Sequence, residues 1–174
     1  KNVQHHPNPV ARKDLLEFIN LRRRLNNNET IQEERLLVEN LRKRRDKKTG
    51  RLAIKAIEPG SLNQNFENRV ALLRGTGMVI NYAKVGVDRF EPAIGVYAAD
   101  EDVKEYLVIS ENMAHSEWDK NSRRLMKDFG DIGKEIVQWI NNSIENRFQQ
   151  FQKNLQPETT VSKNEHGFFA QLMS

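Results

Sequence analysis

The segment SENMAHSEWD, at positions 110–119, brings one imidazole and three carboxylates together in ten residues. Glu111, His115 and Asp119 could form an acid/base group or a metal site, because imidazole and carboxylate groups supply both kinds of chemistry. The alternative is a junction between two helices, in which His115 caps the chain and Trp118 packs into the core. We favour the junction, so the segment gives weak candidates for catalysis and no assigned catalytic residue.

A second stretch, LRKRRDKKTGR at positions 41–51, contains seven cations and one anion in eleven positions. Such a cluster could bind phosphates in a salt-dependent, sequence-independent way, because each neutralised phosphate releases counterions. The alternative is the solvated end of a helix, where cations are favoured. No aromatic residue interrupts the stretch, as a stacking platform for single strands would require. The candidate nucleic-acid contacts are Arg22, Arg23, Arg24, Arg42, Lys43, Arg44, Arg45, Lys47, Lys48 and Arg51.

Two further motifs have ordinary explanations. Gly75-Thr76-Gly77 suggests a phosphate loop, but a strand pattern follows it instead of a helix, so a hairpin turn is the better interpretation. Glu91 with Asp102-Val103-Lys104 resembles a nuclease centre, yet Asp102 lies where acids favour the first turn of a helix.

The composition excludes several classes of site. The chain has no Cys, which excludes disulfides and thiolate zinc sites, and its histidines lack the i, i+4 spacing of a zinc helix. We therefore predict no cofactor and no metal. There is no apolar run of about 18 residues and no visible signal peptide, so we expect a cytoplasmic protein without a membrane span. The first residue is not Met, and we interpret the chain as a piece of a longer protein.

The charge is distributed unevenly. Of a net +4, residues 1–55 carry 15 cations and 7 anions, a net of +8, and residues 56–174 carry 13 and 17, a net of −4. A basic arm on a mildly acidic body suggests a polyanionic or acidic partner.

Two helices are predicted in the basic arm, which we assign to residues 1–50. The first runs from Val10 to the Asn-rich turn at positions 26–28. The second begins at Thr30, which has capping-box spacing to Glu33, and ends near Lys47. Together they predict a helical hairpin at the N-terminus.

The remaining chain predicts an α+β domain at residues 51–156 and a polar tail at 157–174. Strand patterns at 52–57, 69–75, 78–85 and 90–100 predict about four strands in a mainly antiparallel sheet. A short helix near 103–113 and a long amphipathic helix at 132–155 follow, and we expect these C-terminal helices to pack on one face. Phe168 and Phe169, in the tail, could contact a partner or a second copy of the chain.

Residues 69–125 resemble the C-terminal region of large bacterial proteins with a histidine-kinase-like (GHKL) ATPase domain. The resemblance is carried by LLRGTGMVINY, FEPAIGVYAADEDVKEYL and SENMAHSEWD. It implies that nucleotide chemistry occurs elsewhere in a parent chain, in a context such as defence against phage DNA. It also makes Arg74, Glu111 and His115 stronger functional candidates. The matching positions are Arg74, Gly75, Gly77, Met78, Gly95, Val96, Ser110, Glu111, His115 and Trp118.

The leading functional hypothesis is a non-catalytic accessory domain of a larger bacterial protein. Its basic N-terminal helices would contact nucleic acid or an acidic partner. A hydrolase or nuclease-like domain centred on Glu111, His115 and Asp119 is the main alternative, and a structural oligomerisation module is another.

Overall fold

A computed structural model of the chain describes residues 9–75 and 78–157. In this part of the chain, one helix precedes six strands, and two helices follow them. The elements are α1 (Pro9–Leu25), β1 (Ile31–Glu33), β2 (Leu36–Asn40), β3 (Gly50–Ala56), β4 (Arg69–Leu73), β5 (Val79–Lys84), β6 (Ala93–Ala99), α2 (Glu101–Ser110) and α3 (Arg123–Leu155).

All six strands form one mixed sheet in the order β1-β2-β3-β6-β4-β5. Neighbouring strands are antiparallel except β4 and β6, which are parallel. The last strand of the chain therefore occupies an interior position, between a three-stranded meander and a two-stranded hairpin. Both β1 and β2 belong to the same sheet as the four later strands.

Helices cover both faces of the sheet. Along β3, alternate residues point to opposite faces, as the pleat of a strand requires. Leu52 and Ile54 pack in a core with α2 and α3, whereas Ala53 packs in a second core with Phe18 of α1. The α+β class is confirmed, and the C-terminal helices do share one face, but α1 lies on the other.

The prediction of an N-terminal helical hairpin is wrong in its second half. Residues 31–47, predicted as one helix, form β1, β2 and part of a loop. Leu37 and Val38 are both buried, one in each core, because β2 is covered on both sides. A short apolar run of this kind does not distinguish a strand buried on both faces from a helix.

A tight hairpin turn replaces the predicted end of that helix. Arg45 and Asp46 adopt positive φ values of 50° and 60°, and a β-bridge joins Arg44 to Lys47. We call residues 41–50 the basic hairpin. Two left-handed residues in succession are typical of a two-residue turn, but the residues there are usually Asn or Gly. Because Arg45 and Asp46 do not match this preference, the turn was not predicted from the sequence.

The predicted number and direction of the strands also require correction. The sheet has six strands instead of about four, and the contact between β4 and β6 is parallel. The long C-terminal helix is confirmed as the part of α3 that follows Gly130, and α3 also includes a shorter helical segment that begins at Arg123. Gly130, with φ 58° and ψ −144°, divides α3 into two helical segments, because only glycine adopts this conformation readily. The predicted tail lies outside the described residues from position 158 onward.

Candidate functional site

Arg74, Glu111 and His115 form a bonded cluster at the end of β4. Nη1 of Arg74 donates to both carboxylate oxygens of Glu111, at 3.0 and 2.8 Å. Nδ1 of His115 lies 2.8 Å from Oε2 of the same carboxylate. The Glu111 side chain is 1% exposed and that of His115 is 70% exposed. The cluster therefore connects a buried charge to an exposed imidazole.

The loop after α2 positions two members of this cluster. Glu111 follows the last residue of α2 and forms a β-bridge with Trp118, which closes the loop. Trp118 packs edge-on against Tyr97, with ring centroids 5.7 Å apart. His115 has a φ of 52°, which is uncommon for a residue other than glycine, and this conformation returns its ring to Glu111.

A carboxylate only accepts hydrogen bonds, so the contact makes Nδ1 of His115 the donor. In a neutral imidazole with this tautomer, Nε2 carries the lone pair, an arrangement found in general bases and in metal ligands. Asp119 does not join this pair: its backbone N–H donates to Ser110, and its side chain accepts from the N–H of Asn121. Within the described ranges, no group of three metal-ligating side chains is present.

The nuclease-like arrangement is not assembled either. Glu91 accepts a hydrogen bond from Arg35 at 2.7 Å. Asp102 lies in the first turn of α2, as predicted, and accepts from the backbone N–H of Lys48 at 2.9 Å. Lys104 is paired with Glu101. Glu91, Asp102 and Lys104 therefore each contact a different partner and do not form a common site.

The basic hairpin is anchored on α2 and α3 by half of its cations. Arg44 and Arg45 both bond to Glu135, the latter through Nε at 2.5 Å. The Arg44 guanidinium also lies over the Trp139 ring, 5.0 Å from its centroid. Lys47 is 5.6 Å from the ring centroid of Tyr106. These cations fix the position of the hairpin.

The hydrogen bond from Arg45 to Glu135 lowers the pKa of this carboxyl, and Arg44 acts in the same direction. Glu135 is therefore held in its charged form between the two guanidinium groups.

Three cations of the hairpin remain exposed and without an ion pair to any described residue. They are Arg42, Lys43 and Lys48. Arg42 and Lys43 precede the anchored Arg44 in the chain, and Lys48 follows Lys47. The anchored residues lie between them at the turn, so the exposed cations flank a fixed part of the backbone.

Arg51 has a structural contact. Its guanidinium donates to the backbone carbonyls of Leu25 and Glu29, where α1 ends. Arg22, Arg23 and Arg24 form the last turn of α1. They lie near Arg51, at the end of the sheet where β3 begins, but on the face opposite α3. The structure therefore does not merge the two predicted basic clusters into one surface.

An open groove of about 550 Å³ lies between α3 and the segment that runs from the end of β2 into the first two residues of the basic hairpin. Arg42 is at one end of it, and Arg147 is at the other, bonded to Glu39 through two nitrogens at 2.6 and 2.9 Å. Its floor includes Trp139, whose indole N–H donates to the carbonyl of Arg42 at 3.4 Å. The lining residues on α3 are Trp139, Asn142, Ser143, Asn146 and Arg147.

The sequence did not predict the three helical residues that contact the cations of the basic hairpin, which are Glu135, Trp139 and Tyr106. Glu135 and Trp139 are four positions apart and so share one side of α3, which was the only available signal. Nothing in the spacing connects them to residues about 90 positions earlier. The basic stretch has no aromatic residue of its own, but the fold places the rings of Trp139 and Tyr106 beside its cations.

The fold and these contacts define an α+β domain with a mixed six-stranded sheet between helical layers, an Arg–Glu–His cluster around a buried carboxylate and an anchored basic hairpin. Comparison with known protein families, with curated proteins and with solved structures finds no match to this chain. In the part of the chain that the structure describes, no helix combines the length and the apolar character needed to cross a membrane.

Proposed function

We propose that this chain is a non-catalytic interaction domain of a larger bacterial protein, and that its basic hairpin contacts an anionic partner, nucleic acid first among them. The observation that carries the proposal is that some cations of the basic hairpin fix its position, whereas others stay exposed without an ion pair to a described residue. Arg44 and Arg45 are bonded to Glu135, and Arg42, Lys43 and Lys48 remain exposed beside them.

A fixed backbone favours binding, because less conformational entropy is lost when the exposed cations meet an anion. The proposal uses fewer cations than the sequence suggested. Arg51 is excluded because its guanidinium is bonded at the end of α1, and Arg22, Arg23 and Arg24 form a separate cationic edge on the other face.

The test is binding to a mixed-sequence 20-base-pair duplex DNA over a range of salt concentrations. The affinity should fall steeply with salt, and Lys43→Gln/Lys48→Gln should reduce the slope of log K against log [salt] by about 2. The matched control is Lys13→Gln/Lys153→Gln, which removes two exposed cations distant from the hairpin. Lys153 lies about 20 Å along α3 from Trp139.

No binding at low salt, or an equal loss in the control variant, would contradict the proposal. Binding to polyglutamate that is tighter than binding to DNA would assign the hairpin to an acidic protein instead.

A hydrolase remains the second candidate function. It is favoured by the hydrogen bond that orients His115 on the buried carboxylate of Glu111. Metal-dependent hydrolysis of DNA that disappears in His115→Ala, with unchanged folding, would support it. Absence of turnover with Mg²⁺, Mn²⁺ or Zn²⁺ would leave the cluster with a structural role.

A further inference from the structure

We propose that the groove between the basic hairpin and α3 binds an unpaired base of single-stranded nucleic acid, with Trp139 as the stacking surface. This inference rests on the proposed function and specifies its ligand. It makes Trp139 the residue that distinguishes a single strand from a duplex.

The first observation is the position of Trp139. Its ring lines the groove, and its indole N–H reaches the backbone of Arg42 at 3.4 Å. The Arg44 guanidinium lies 5.0 Å from the ring centroid. An aromatic ring among cations is the arrangement with which proteins bind single strands, because bases stack on the ring while the cations contact the backbone phosphates.

The second observation is the polar stripe along the same groove. Asn142, Ser143 and Asn146 follow Trp139 at three, four and seven positions, so these side chains share one side of α3. Amides both donate and accept hydrogen bonds, and they can therefore pair with the edges of a base. None of these side chains forms a hydrogen bond to another described side chain.

The third observation is the distribution of charge. At the far end of the groove, Glu39 neutralises Arg147 through two hydrogen bonds. At the near end, Arg42 has no ion pair to a described residue, and Lys43 is exposed beside it. A phosphate is therefore favoured at the hairpin end, and an uncharged base is favoured on the face of Trp139 that Arg44 does not cover.

The size of the groove agrees with this ligand. At about 550 Å³, it is within the range of pockets that receive small ligands, and it is open to solvent. The bases of a duplex are stacked on each other and their faces are not accessible, so only an unpaired base can lie on the ring.

The experiment compares three probes: a mixed-sequence 20-nucleotide single strand, the corresponding duplex, and polyphosphate, which carries the charge without bases. Trp139→Ala should weaken binding of the single strand about tenfold, because the variant loses the ring on which one base stacks. Because Trp139 also contacts Arg42 and Arg44 of the basic hairpin, binding of the duplex and of polyphosphate should fall too, but by a clearly smaller factor than binding of the single strand. Trp139→Phe keeps a ring and should retain most of the affinity for the single strand.

Tryptophan fluorescence gives a direct second measurement. The chain has two tryptophans, and Trp118 is only 4% exposed. Quenching by the saturating single strand should therefore come from Trp139. Trp139→Phe should bind with little quenching, whereas the duplex should quench the native protein weakly.

The outcomes separate this inference from the proposed function. If Trp139→Ala binds all three probes as the native protein does, the stacking site is refuted and the basic hairpin remains supported. If it loses all three equally, Trp139 only supports the hairpin, and the inference is again refuted. If the native protein binds none of the probes at low salt, both proposals fail. Thermal unfolding of each variant confirms that it is folded.

Discussion

Arg74 and Glu111 are 37 positions apart in the sequence, and a single guanidinium nitrogen of Arg74 contacts both oxygens of the Glu111 carboxylate. The carboxylate is almost completely buried, and Arg74 is 25% exposed. This pair joins the end of β4 to the end of α2, and the loop with His115 is built on it.

Arg74→Leu should lower the free energy of unfolding by about 2 kcal/mol, because the variant leaves a buried carboxylate without its cation. Urea denaturation at neutral pH measures the change. The matched control is Arg147→Leu, which breaks the more exposed pair with Glu39 and should cost about 1 kcal/mol or less. Arg74→Leu/Glu111→Leu should recover part of the loss. If the two single variants lower the free energy of unfolding equally, burial of the Glu111 carboxylate does not make the Arg74 pair more important.

Gly50→Ala should destabilise the domain by about 3 kcal/mol or more, because strain and collision act together. Gly50 has a φ of 133°, and a Cβ there would be 2.4 Å from the carbonyl oxygen of Ala98. Gly60 is the control: its φ of 77° is also positive, but a Cβ would meet no atom within 4 Å. Gly60→Ala should therefore cost only about 1 kcal/mol. Chemical denaturation of both variants separates collision from backbone strain.

Glu135→Gln should lower the thermal midpoint at neutral pH, and the difference from the native protein should disappear in acid. Because the hydrogen bond from Arg45 lowers the folded-state pKa of Glu135 below its ordinary value of 4.5, the carboxylate stabilises the fold above that value. This contribution is lost as the pH falls through the folded-state pKa. Thermal scans at several pH values measure the difference.

Glu145→Gln is the control for this pH dependence. It removes an exposed carboxylate of α3 that contacts the amide of Gln149 and has no ion pair to a described residue. Its effect at neutral pH should be smaller. A difference for Glu135→Gln that grows in acid would contradict the assigned sign.

Arg51→Gln should loosen the end of α1, because the carbonyls of Leu25 and Glu29 lose a charged donor. Such bonds contribute about 1.5–3 kcal/mol, and part of this should be lost. Hydrogen exchange should accelerate in α1 and change little in α3. The salt dependence of DNA binding should stay nearly constant, whereas a reduced slope would show that Arg51 contacts phosphate directly.

Elements with local signals were predictable from the sequence. The Asn-rich turn marked the end of α1, and the alternating pattern of 78–85 marked β5. The position of β6 between β3 and β4 was not predictable, because strand order depends on contacts between distant segments. The run Leu36-Leu37-Val38 was misinterpreted since both faces of β2 are buried.

For the candidate site, the sequence predicted some of the residues but not the contacts that bring them together. Glu111 and His115 lie in one ten-residue segment, which the sequence singled out, but their contact depends on the loop after α2, in which His115 has a positive φ. Arg74 became a candidate through the family resemblance alone, and its bond to Glu111 depends on the packing of α2 against the sheet. Trp139 was assigned to a helix, but its contact with the basic hairpin required the fold.

The interior position of β6 has a consequence for the order of folding. The meander of β1, β2 and β3 and the hairpin of β4 and β5 each expose an unpaired edge until residues 93–99 are available. During synthesis, neither half can complete its hydrogen bonding before β6 leaves the ribosome, so the two halves should gain stability together in one late step.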